Sequence, residues 1–138
     1  MTVDVLYVCD RCRVSRKVKE IDGERGGALL FHALEDRWAS MRHSMKLVSV
    51  SCLSACDRHC AVAFQGRNKV TWIFGDLPVE PEDVGQSVDD LLRFSTDYAK
   101  SSDGFFERQD RPYLLQSGIL ARIPPLSLLQ NKSGKISY

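Results

Sequence analysis

No apolar run in this sequence approaches the roughly 18 residues that a membrane helix needs. The opening residues, MTVDVLYVCDRC, lack the basic flank, long apolar centre and small-residue cleavage site of a secretory signal. Neither charge sign is in excess. Nineteen Lys and Arg face eighteen Asp and Glu, a formal net charge of +1. That balance gives no global basic field of the kind that binds nucleic acid, and there is no acidic tail. A Gly-rich phosphate loop, a G-x-S-x-G and an H-E-x-x-H are all missing, and nothing points to a Ser-His-Asp triad. The expectation is a cytoplasmic protein that is not an enzyme and that engages neither membrane nor nucleic acid.

At 138 residues, with 43% apolar and 27% charged, the chain can bury one core without disulfide staples. What it does have is cysteine, and in clusters. Cys9 and Cys12 form a C-x2-C, and Cys52, Cys56 and Cys60 form a C-x3-C-x3-C in CLSACDRHC. An odd count of five, where thiols stay reduced, fits a disulfide framework poorly and fits metal or redox chemistry better.

Patterning gives a β-α-β-β-β-α order. Val3 to Val8 is rich in β-branched and aromatic residues and reads as a buried strand. The basic stretch Arg11 to Lys19 reads as loop, and Ile21-Asp22-Gly23 as a turn. Leu30, Leu34, Trp38 and Met41 then recur with a helical period. Leu47 to Ser51 reads as a second strand running into Cys52. Ala61 to Phe64 and Val70 to Phe74 read as two more, joined by a polar hairpin loop, Gln65 to Lys69. Pro81, Glu82 and Asp83 suit the start of a second helix. Its inner face is Val84, Val88, Leu91, Leu92, Ser95 and Tyr98, and Ser101 to Gly104 end it.

Two strands separated by one helix are predicted to be parallel neighbours joined by a right-handed crossover. Their carboxyl ends then share one edge of the sheet. Cys9 and Cys52 leave their strands at that edge, so the two clusters converge. Four thiolates suit zinc or the iron of an iron–sulfur cluster. Leu53, Ser54 and Ala55 leave room for backbone N–H groups to face the sulfur atoms. Arg11, Arg13, Arg58 and Lys17 fall in the same region, where cations favour a negatively charged centre or form a solvated rim.

The stretches VCDRCR, CLSACDRHCAVAF, KVTWIFGDL, DGFFERQDRP and GILARIPP span nearly the whole chain. CLSAC after a strand resembles the second ligand pair of thioredoxin-like 2Fe–2S ferredoxins. In combination the stretches resemble a bacterial domain-of-unknown-function family of predicted metal-binding proteins in that superfamily. The resemblance implies a thioredoxin-like mixed sheet with helices packed on it, over residues 1–104. It implies a 2Fe–2S cluster held by Cys9, Cys12, Cys52 and Cys56, a ferredoxin-type one-electron carrier with a redox partner, and a homodimer. The first cysteine pair is more closely spaced here than in those ferredoxins.

Alternatives remain on the residues themselves. Cys60 is a possible replacement ligand or a small buried hydrophobe. The same thiols would serve a zinc-, cobalt- or iron-binding protein of metal or cobalamin homeostasis. Cys9 and Cys12 alone would suit a thioredoxin-like dithiol oxidoreductase, which leaves CLSACDRHC without a role. His59 reads as a loop histidine rather than a ligand, and His32 and His43 show no metal spacing. Asp10 and Asp57 read as solvated carboxylates, Trp38 and Trp72 as core. Residues 105–138, interrupted by Gly and Pro, read as an irregular extension packed on the domain or on a dimer partner.

Overall fold

Alternating side chains set the first strand, β1 (Val5–Cys9): Leu6 and Val8 are fully buried, Val5 and Tyr7 half-buried. The computed structural model describes residues 3–41, 44–55 and 57–126. His43, Cys56 and the chain from residue 127 onward lie outside them. After β1 comes a two-strand hairpin, β2 (Glu20–Ile21) and β3 (Glu24–Arg25). Asp22 and Gly23 make its turn with φ of 51° and 83°, the pair of positive angles that a tight hairpin turn requires. The sequence reading found this turn but not the strands beside it.

Helix α1 (Gly26–Trp38) buries Leu30 and Leu34, as the apolar stripe implies. It stops at Trp38, whose Nε1 donates to the Met45 carbonyl at 3.3 Å, so Met41 packs from beyond the helix. Three strands follow: β4 (Lys46–Val50), β5 (Val62–Gln65) and β6 (Thr71–Phe74). Helix α2 (Val84–Lys100) starts after a turn at Pro81 to Asp83 and buries Val88, Leu91, Leu92, Ser95 and Tyr98, with Phe94 in addition.

The sheet order is β4-β1-β5-β6 with a fifth strand, β7 (Ile119–Ile123), at the far edge. β1 and β4 are parallel, and the remaining neighbours are antiparallel. This is the thioredoxin-like mixed sheet expected. α1 and α2 pack on each other, over the face that carries Leu6, Val8, Phe64, Trp72 and Phe74. The centre of that face is aromatic. Phe64 meets Phe94 edge-on at 4.8 Å, and Trp72 stacks on Phe74 at 5.7 Å with an 8° interplanar angle. Such pairs add about 0.5–1.5 kcal/mol each beyond burial.

β7 was not foreseen in residues 105–138. Gly118 and Pro124 bracket it closely, and its polar and apolar residues do not alternate cleanly. Before it, Arg111 is buried with its guanidinium 5.0 Å from the Trp72 ring, and it donates to the Phe106 and Gln116 carbonyls. Leu115 is fully buried. Arg111 and Leu115 thus pack on their own chain, while Tyr113, Ile123 and Leu126 are exposed.

One buried ion pair ties the sheet to α2. Lys69 Nζ lies 2.5 Å from Asp4 Oδ2 and also donates to the Tyr98 carbonyl at 2.8 Å, with both side chains about nine-tenths buried. Removing one partner strands the other. Lys69→Met is expected to cost about 3–5 kcal/mol in urea unfolding, and Asp4→Asn with Lys69→Met to recover part of that loss. A single variant as stable as the parent would show that the pair is not structural.

Candidate metal centre

The parallel register pairs Cys9 with Val50, so β1 and β4 end level with each other. The chain then turns, and the Asp10 N–H donates to the Val50 carbonyl at 2.9 Å. This places Cys12 in the loop after β1 and Cys52 two residues past β4, at the same edge of the sheet. Cys9, Cys12 and Cys52 line one cavity of about 210 Å³, together with Arg11, Arg13, Arg25 and Ala55. Cys9 and Cys12 are buried and Cys52 is exposed. The expected fourth ligand, Cys56, lies outside the described residues.

Backbone N–H groups meet these sulfurs. The Ser54 N–H donates to Cys52 Sγ at 3.1 Å, with Ser54 at a positive φ of 58°. The Ala61 N–H donates to Cys12 Sγ at 3.5 Å. Donors of this kind stabilise a thiolate that has lost its proton to a metal and lower the charge it presents. The residues present therefore fit a metal–thiolate group in donor type and surroundings. Among the described residues, no three His, Cys, Asp or Glu side chains are grouped to hold a single ion.

Cys60 is fully buried and sits behind the pair, its thiol donating to the Arg13 carbonyl at 3.5 Å. It also hydrogen-bonds to Cys12. That bond, ahead of the opposing effect of burial, draws the Cys12 thiol down to about 6. The same contact and burial push Cys60 up, and burial pushes Cys9 up.

Two of the expected cations, Arg11 and Arg13, wall the cavity. Arg58 does not: its guanidinium is paired with both oxygens of Asp76, at 2.9 and 2.5 Å, beside a neighbouring cavity. His59 also lines that neighbouring cavity, and its Nδ1 is buried without a partner. Arg25 was missed in the sequence because its approach spans the hairpin, where it donates to the Arg11 carbonyl at 3.4 Å.

Gly26 and Gly27 were missed too. They begin α1 directly against the cysteine loop. The Gly27 N–H donates to the Cys12 carbonyl at 3.0 Å, so the positive end of the helix faces the loop that carries the thiols. A Cβ on Gly27 would stand 1.8 Å from the Cys9 carbonyl oxygen, and one on Gly26 2.7 Å from that of Arg13. A Gly-Gly pair opening a helix was the available signal.

A thioredoxin-like α/β domain with a thiol-lined cavity at the carboxyl edge of its parallel strands is the class of protein that fold and site define. The chain belongs to the family described as a protein of unknown function, DUF1636, whose profile matches residues 6–125. No curated protein matches it. Among solved structures, a thioredoxin-like 2Fe–2S ferredoxin from Aquifex aeolicus is similar over 77% of this chain and 100% of that one, with 16% identity and a TM-score of 0.41. At that similarity the fold rests on the strand order itself. Among the described residues, no helix is long and apolar enough to cross a membrane.

Gly27→Ala should cost about 2 kcal/mol or more, because the backbone of β1 cannot yield. Gly85→Ala, where a Cβ meets nothing within 4 Å, should be neutral or stabilising by up to about 1 kcal/mol. Urea unfolding of the two variants checks this, and equal effects would remove the close approach as the reason for glycine.

Proposed function

We propose that this chain is a small iron–sulfur protein, with a 2Fe–2S cluster held by Cys9, Cys12, Cys52 and Cys56, and that it carries single electrons rather than transforming a substrate. The observation that carries the reading is that Cys9, Cys12 and Cys52 line one cavity, with backbone N–H groups directed at the sulfurs of Cys12 and Cys52. When bound, the cluster supplies one reversible electron transfer. The protein supplies the rest. Cys9 and Cys12 close the inner side and keep water from it, while Cys52 on the outer side leaves a short way to solvent and a partner. Arg11 and Arg13 offset the negative charge that reduction adds.

A zinc or other metal-binding reading has one observation in its favour. Cys60 lies buried against the loop of the first pair, its thiol donating to the Arg13 carbonyl at 3.5 Å, so a fifth sulfur stands beside Cys12 without the exposed Cys52. The dithiol oxidoreductase reading is the least supported. Both thiols of its C-x2-C are buried, and Cys12 is followed by loop rather than by the first turn of a helix.

Iron, zinc and acid-labile sulfide should be measured on anaerobically purified protein beside its absorption spectrum. The expected result is a coloured protein with about two iron and two sulfide per chain. Cys9→Ser, Cys12→Ser and Cys52→Ser should lose the colour, and Cys60→Ser should keep it. Colourless protein with one zinc and no sulfide would overturn the proposal, and loss of the metal in Cys60→Ser would move the ligand set to the zinc reading.

A further inference from the structure

Between Arg11 and Lys19 the chain carries five cations and no carboxylate, in a protein whose net charge is only +1. The segment is firmly shaped. The Ser15 N–H donates to the Val18 carbonyl at 2.9 Å, and Ser15 Oγ accepts from the N–H of Val18 at 3.0 Å and of Lys17 at 3.3 Å. The Arg13 guanidinium donates back to the Ser15 carbonyl at 3.4 Å and to the Arg16 carbonyl at 3.5 Å. This tight loop presents Arg16, Lys17, Val18 and Lys19 to solvent, with Val18 43% exposed at its tip.

Of the nearby carboxylates, Asp10 faces the loop's own Arg11 and Glu20 follows Lys19 directly, while others are engaged elsewhere. Asp10 lies 3.6 Å from Arg11, Glu24 is paired with His32, and Asp76 with Arg58. Glu80 and Asp57 border the neighbouring cavity that Arg16 also lines. Among the described residues, no ion pair involves Arg16, Lys17 or Lys19. The loop begins at Arg11 and Arg13, which wall the cysteine cavity, so its charge is continuous with the mouth of that cavity.

We infer that this loop is a docking surface for an acidic protein, a one-electron carrier that meets the cysteine cavity at its basic rim. The electron in this step comes from the proposed cluster, so the inference rests on that reading. A reduced cluster held there would give up one electron and the partner would gain it, with no bond made or broken. Cations set around one exposed apolar side chain match the usual division of labour in such encounters: charge steers and orients, and a small apolar contact holds. Nucleic acid is the weaker match, because residues 11–19 include no aromatic side chain on which a base could stack.

The probe is a short, fluorescently labelled polyglutamate peptide, bound to the full chain and followed by anisotropy. Binding should weaken by about tenfold or more in Arg16→Glu/Lys17→Glu/Lys19→Glu, and by a smaller factor in Lys17→Glu alone. Arg93→Glu, exposed on α2, should leave it unchanged. Binding should also fall as salt rises from about 20 to about 200 mM. Equal binding by the triple variant and the parent would overturn the surface. Tighter binding of a DNA oligomer of equal charge at about 150 mM salt would overturn the protein partner in favour of nucleic acid. Protein without iron that still binds the peptide through this loop would support the surface and overturn only the cluster.

Discussion

The parallel pairing of β1 with β4 is the constraint on which the rest depends. Five residues of register, from Val5 opposite Lys46 to Cys9 opposite Val50, make the two strands end level. Without that alignment Cys9 and Cys52 would leave the sheet at different heights, and two short cysteine motifs would stay unrelated. The alignment is enforced by burial. A slip of one residue would turn Leu6 and Val8 out of the core and bring Val5 and Tyr7 in.

Helix α1 sets the depth of the site. Its two opening glycines allow the helix to rest against the backbone of Cys9 and Arg13, closer than any side chain permits. The same contact satisfies a helix N–H with the Cys12 carbonyl and directs the positive helix end at the cysteine loop. On the other side, the aromatic cluster and the Asp4–Lys69 pair hold α2 and the β5–β6 hairpin to β1. Packing far from the cavity thus fixes the edge at which the thiols meet.

Much of this was legible in the residues. The apolar runs at Val3 to Val8 and Leu47 to Ser51 are long enough to mark strands, and the helix between them makes the crossover rule decisive. The inner face of α2 was legible for the same reason, since its apolar positions recur with a helical period. The short hairpin was not, because Glu20, Glu24 and Arg25 carry no apolar alternation. β7 was hidden by Gly118 and Pro124 standing close on both sides. Within the site, the three described cysteines could be placed from strand order. Arg58 could not, since its partner, Asp76, stands 18 residues away. Arg25 and Gly27 act through contacts between distant segments, which spacing alone does not reveal.

The proposed cluster rests on a thiol-lined cavity with backbone N–H groups turned toward the sulfurs of Cys12 and Cys52. The most direct measurement is low-temperature electron paramagnetic resonance of the anaerobically purified chain before and after dithionite. The account predicts a silent oxidised sample and, after reduction, the signal of one unpaired electron per chain, as a two-iron cluster gives. A sample that remains silent after reduction while holding zinc would contradict it.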